Sequence, residues 1–155
     1  MRGLVVFAVL AAAAPVPAAA AGSRPTSWAT VWKMVEQADL IAVVTVKSVD
    51  RDENTMTLVV HKVLMTEGRA PKKLQLTYFA GDDLPNRVPA GSRALALLVS
   101  ARRRWTPAYA EGYGVWSVQD GEVIEWLEGK RSGEFYSLAE VSRRIVNWVR
   151  DHAPR

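Results

Sequence analysis

Two apolar runs flank a polar break between Ala38 and Leu64. In the first run Ile41, Val43 and Thr45 alternate with Ala42, Val44 and Val46. Both faces start apolar, so the spacing predicts a strand enclosed on both sides and not a solvated edge. Polarity returns at Lys47 and Ser48, and residues 50–54 read as a turn. A second strand is predicted over Thr55 to Leu64, with Leu58, Val60 and Leu64 on one face and Val59, His61 and Val63 on the other. The third, Lys72 to Phe79, alternates cleanly: Leu74, Leu76 and Tyr78 inward, Lys73, Gln75 and Thr77 outward. Residues 80–91, with Gly81, Pro85, Asn86, Pro89 and Gly91, read as a loop. The fourth strand, Ser92 to Ser100, is apolar almost throughout and is expected to be buried.

Residues 101–112 read as a second loop. A hairpin follows, Gly114 to Trp126, turning at Asp120-Gly121, because that pair supplies the positive φ angles of a tight two-residue turn. Two helices bracket this β region. Trp28, Val31, Trp32 and Val35 form one apolar stripe over residues 28–37, with Thr26 or Ser27 as cap. That spacing predicts a helix laid against the barrel. Its two tryptophans would otherwise suit a sugar- or partner-binding surface. Ser137-Leu-Ala-Glu140 has the form of a capping box and opens a last helix. Leu138, Val141, Ile145, Trp148 and Val149 make its apolar stripe, and Arg143, Arg144 and Arg150 are expected in solvent. The fold class this implies is mostly β: a small five- to six-stranded barrel with a helix before the first strand and a capped C-terminal helix.

The N-terminus changes the picture of where the chain works. Arg2, an apolar run from Leu4 to Ala14, and small residues at Ala19 and Ala21 form the tripartite pattern of a secretory signal peptide. The apolar run is shorter than the ~20 residues of a membrane span, and Pro15 and Pro17 interrupt it. The organisation expected is therefore 1–21 signal peptide, 22–37 lead and helix, 38–150 barrel with its terminal helix, and 151–155 tail. It places the mature domain in the periplasm or outside the cell, with no membrane span once the signal is cleaved. With no cysteine among 155 residues, thiol catalysis, thiolate zinc sites and disulfide staples are excluded. The 20 Lys and Arg against 16 Asp and Glu are a mild excess, 19 against 16 once Arg2 is removed. That imbalance alone does not signal nucleic acid, which export also makes an unexpected partner.

The stretches Ala-Asp-Leu-Ile-Ala-Val-Val-Thr-Val (38–46), Val-His-Lys-Val-Leu (60–64) and Arg-Ala-Leu-Ala-Leu-Leu (93–98), with the Gly-Val-Trp-Ser-Val hairpin and the capped last helix, resemble secreted OB-fold-like domains of the netrin-like and tissue-inhibitor-of-metalloproteinase type. The resemblance spans residues 38–149 and implies the barrel. It also implies a protease-inhibitor-like module, but not the family's mechanism. There a disulfide-tethered N-terminal cysteine chelates zinc through its amine and carbonyl, and here the expected mature N-terminus is Gly22-Ser23.

Chemistry-bearing residues are few. His61 and His152 are the only histidines, and no spacing suits a metal site. Ser100, Ser117 and Ser137 lack a nucleophile-elbow context. Asp82-Asp83 is the closest carboxylate pair, in a setting typical of solvated turns. The candidate site is Arg102, Arg103, Arg104 and Trp105, expected in a loop at the barrel mouth, where arginine clamps anions and an indole offers a stacking face. The function expected is an exported, non-catalytic binding domain of the cell envelope that needs no cofactor. Its ligand would be a protein or an anionic polymer. A hydrolase of envelope glycans using Glu or Asp residues, such as Asp82 near Trp105, stands as the alternative from another class.

Overall fold

Strand β1 (Leu40–Asp50) pairs on one edge with β2 (Thr55–Thr66) and on the other with β4 (Arg93–Ala101), both antiparallel. With β3 (Lys73–Thr77) and β5 (Arg104–Pro107) the order is β1-β2-β3-β5-β4, and the β4–β1 pairing closes the barrel. The chain thus forms the expected OB-like barrel. The computed structural model describes residues 24–108 and 114–154; the expected signal peptide, Gly22-Ser23 and part of the second predicted loop lie outside them.

The two-sided apolar pattern of β1 has a direct cause, because the strand serves two cores. Leu40, Ala42, Val44 and Val46 point into the barrel, where they meet Met56, Leu58, Leu74, Leu76, Ala94, Ala96 and Leu98. Ile41 and Val43 point outward beneath the helices, with Leu95, Leu97 and Trp116. Successive strand side chains face opposite ways. A strand lined by helices outside and by a packed interior within is therefore apolar at every position. The outer face turns polar at Thr45 and Lys47, where the helices end their cover.

On β2 the expected grouping of Leu58, Val60 and Leu64 is corrected. Val43 faces Lys62 and Val44 faces Val60, so His61 is an extra residue, and Leu64 is another between the Ile41–Met65 and Ala42–Val63 pairs. Each bulge breaks the alternation. Leu58 and Val60 stay with the barrel interior, whereas Leu64 packs on the helix side. Residues 80–91 also hold more order than a loop. Helix α2 (Leu84–Arg87) places buried Leu84 and Val88 in the interior cluster.

The second predicted loop is corrected too. After a two-residue turn the chain re-enters the sheet as β5, then β6 (Val115–Gln119) pairs with the first half of β4. β5 and β6 are two parts of one edge partner, and Leu97 holds both ends: its carbonyl accepts from Ala108 N (2.8 Å) and its N–H donates to Gly114 O (2.7 Å). A Cβ on Gly114 would lie 2.6 Å from the carbonyl oxygens of both Ala108 and Leu97, so only glycine fits there. The β6–β7 hairpin, with β7 (Glu122–Val123), turns at Asp120 (φ 50°) and Gly121 (φ 77°) as the sequence predicts, although β7 is shorter than expected.

Helix α1 (Trp28–Gln37) is capped by Ser27, whose Oγ accepts from Thr30 N at 3.1 Å; Val31, Met34 and Val35 are buried against the sheet. Helix α3 (Leu138–His152) is capped by Ser137 Oγ accepting from Glu140 N at 3.1 Å. The carboxylate of Glu140 does not reach back to complete a capping box. It pairs with Arg143 (2.6 Å) and Arg144 (2.9 Å), which hold its carboxyl below the usual range. Arg144 is not the solvent residue expected, for its guanidinium sits over the rings of Trp28 (4.7 Å) and Tyr136 (4.9 Å). From there the rings run on: Trp28 beside Trp32 (5.2 Å), Trp32 stacked on Trp148 (5.5 Å) and Trp148 on His152 (4.1 Å). These rings cover one another and join α1 to α3. His152 is therefore the last residue of the helix and not part of a free tail.

The lead before α1 is tied to residues 125–128. Thr26 N donates to Trp126 O, Glu128 N donates to Thr26 O, and Thr26 Oγ1 donates to Glu125 Oε1 at 3.1 Å. Burial pushes the Glu125 carboxyl up, against the smaller opposing pulls of the Thr26 hydroxyl and the Arg87 charge. A carboxyl raised in the folded state binds protons more tightly there. Its contribution to stability is thus lost as pH rises from the unfolded to the folded value. Glu125→Gln keeps the acceptor for Thr26 without the buried charge. Its melting temperature relative to the parent should climb as pH rises across the carboxylate range and then level off at neutral pH. Paired thermal melts from pH 4 to 8 measure this, and a constant difference would refute it.

Candidate functional site

The β4–β5 turn is built against the preference of its residues. Ala101 pairs with Arg104, leaving Arg102 (φ 51°) and Arg103 (φ 64°) as the two central residues, both left-handed. Asn-Gly or Asp-Gly satisfy that geometry readily. A side chain with a Cβ pays roughly 1–2 kcal/mol per residue in this region. The turn is tight because Val99–Thr106 and Ser100–Trp105 continue the ladder directly beneath it. Only Arg102 and Arg103 are therefore turn residues; Arg104 and Trp105, expected in the loop, open β5. Trp105 is half-buried, packed partly against the barrel interior, and bridges to Leu76 of β3.

Beside this turn lies an open cleft of about 480 Å³, within the ~300–1,000 Å³ range usual for ligand sites. One wall is Arg103, Arg104 and Trp105; another is the β1–β2 turn, through Asp50, Glu53 and Thr55; the floor is Lys73, Leu74, Gln75 and Thr77 of β3. This is where OB-type barrels place ligands, between the loop joining strands 1 and 2 and the loop joining strands 4 and 5, over strands 2 and 3. Arg102, the other turn residue, is not among the residues that line the cleft.

The polar groups divide into committed and uncommitted ones. Asp50 Oδ1 accepts from the N–H groups of Asp52 (3.1 Å) and Glu53 (3.0 Å), so that carboxylate shapes the β1–β2 turn. Ion pairs join Arg143 and Arg144 to Glu140 and Arg150 to Asp151. None involves Lys73, Arg102, Arg103 or Arg104. Among the described residues these four cations thus make no ion pair, although Asp50 and Glu53 line the cleft with three of them. Clustered like charges are destabilising unless something neutralises them.

Other candidates lie elsewhere. Asp82 is not in the cleft; its Oδ1 accepts from Leu84 N at 2.9 Å and shapes the approach to α2, while its Oδ2 is buried without a partner. The acids that do line the cleft with Trp105 are Asp50 and Glu53. Ser117 is buried in β6, and Ser137 is the cap of α3. His61 Nε2 lies 2.7 Å from Thr45 Oγ1 on the exposed outer face, and among the described residues no group of three or more His, Asp or Glu could hold a metal ion. Lys73, Gln75 and Thr77 were readable as an outward row on their strand. Their approach to the arginine turn depends on the β3–β5 seam, which no local pattern encodes. Among the described residues no helix is long and apolar enough to cross a membrane. Comparison with protein-family models and with curated proteins finds no match.

Proposed function

We propose that this chain is an exported, non-catalytic binding domain of the cell envelope, and that it takes an anionic ligand in the cleft beside the β4–β5 turn. The observation that carries the reading is the turn itself. Two consecutive arginines occupy left-handed positions that Asn-Gly fills without strain, and the second of them, Arg103, lines the cleft. Backbone strain of this kind concentrates at functional sites, where the surrounding structure maintains it. Lys73 and Arg104 add charge below, and Trp105 adds an apolar face.

The test replaces Arg102, Arg103 and Arg104 together by alanine and elutes the protein from heparin resin with a salt gradient. Alanine keeps the Cβ, so the turn strain is unchanged. Stability should stay within the ±0.5 kcal/mol or so usual for each surface substitution. Elution should move to clearly lower salt, since each lost cation removes a counterion-releasing contact. Elution at the parent's salt concentration would remove the basis of the reading.

A further inference from the structure

Main-chain groups at the floor of the cleft point to a narrower ligand class. In the β2–β3 ladder, Val60 N donates to Lys72 O and Tyr78 N to Asn54 O. Even-numbered residues of β3 therefore turn their N–H and C=O toward β2, and Lys73, Gln75 and Thr77 turn theirs the opposite way, toward β5. β5 meets that edge at a single parallel pair, Leu76 with Trp105. Continuing the register would set Leu74 opposite Arg103 and Lys73 opposite Arg102. The chain reverses at those two arginines and joins β4 instead. Because Leu76 faces β2, the Leu76–Trp105 pair engages the Gln75 C=O and the Thr77 N–H; the barrel seam is unzipped from the Gln75 N–H down through Lys73, and the cleft occupies the gap. Leu74 marks the opening, for it belongs to the interior cluster and yet lines the cleft.

Resting on the anion-binding reading above, we infer that the ligand is an acidic peptide segment that adds as a short strand along Lys73–Gln75, in the missing continuation of β5. Strand addition draws affinity from main-chain hydrogen bonds and specificity from alternate side chains. Side chains on the outer face of the added strand would meet Lys73, Arg103 and Arg104, and those on the inner face would lie over Leu74 beside Trp105. The matching pattern alternates acidic and small apolar residues. Lys73, Arg103 and Arg104, which outnumber Asp50 and Glu53 along the cleft, supply the charge complementarity, and the edge of β3 presents N–H and C=O groups at the repeat that a peptide main chain matches.

The experiment uses the mature chain and a fluorescently labelled, end-capped hexapeptide of alternating Glu and Val, read by anisotropy. A second hexapeptide of the same sequence carries N-methyl groups on alternate amides, in both possible phases. It keeps the charge and the side chains but loses donors. The parent peptide should bind, the methylated peptide of one phase should bind at least tenfold more weakly, and the Arg102–Arg104 triple alanine variant should lose binding. Equal binding of the parent peptide and both methylated forms would overturn strand addition. If neither peptide binds while heparin retention still depends on the arginines, the peptide inference fails and the anion-binding reading stands. If heparin retention is also independent of the arginines, that reading fails as well.

Discussion

Trp116→Ala is expected to remove about 3–5 kcal/mol of stability, the range for deleting a buried aromatic. Trp116 is only 1% exposed and lies in the cluster that joins the outer face of the barrel to both long helices. It sits opposite Leu95 on β4 and shares its cluster with Val31 and Val35 of α1 and Ile145 of α3. No single element closes the space an indole leaves, because the cluster is assembled from strands and helices that are separate in the chain. A domain of this size has roughly 5–15 kcal/mol in total, so the loss is a large share of it. Urea titration followed by circular dichroism measures the effect, as a lower midpoint with an unchanged slope. A loss below about 1 kcal/mol, less than truncating a single buried aliphatic residue costs, would mean that the helices and the barrel are not one packed unit.

Replacing Arg102 and Arg103 together by Asn and Gly is expected to act in opposite directions on stability and on binding. The left-handed strain of about 1–2 kcal/mol at each arginine is largely relieved, and the added flexibility of glycine takes back roughly 0.5–1 kcal/mol. A net gain of roughly 1–3 kcal/mol remains, which raises the melting temperature by several degrees at this size. Retention on heparin resin should fall at the same time, because two of the four cations are gone. This pairing separates a functional turn from an accidental one. A variant that binds like the parent, or one that melts at a lower temperature, would show that the arginines are not held there for a ligand.

Much of the architecture was legible because it is local. The stripe Val31, Val35 fixed α1, and Ser27 and Ser137 cap the helices they precede. Asp120-Gly121 turned the β6–β7 hairpin because the geometry it needs is one those residues adopt readily. The two-sided apolar runs of β1 and β4 declared that both strands are covered on both faces, which a barrel under helices satisfies. What escaped was decided by neighbours. Leu64 changed sides because bulges interrupt the β1–β2 ladder. Arg102-Arg103 read as loop because nothing in two arginines asks for a left-handed turn; the ladder beneath imposes it. Glu140 and Arg144 left their expected places because Trp28 and Tyr136, distant in sequence, stand within reach of the guanidinium. The four candidate residues were named from composition, but a site requires a second wall. Lys73, Gln75, Asp50 and Glu53 come to that wall through the β3–β5 seam and the closure of the barrel, contacts between residues about 30 to 50 positions apart whose pairing depends on the whole sheet. Sequence by itself determined the elements and their faces; tertiary structure decided which of those faces meet, because long-range register is set by packing and not by any one segment's preference.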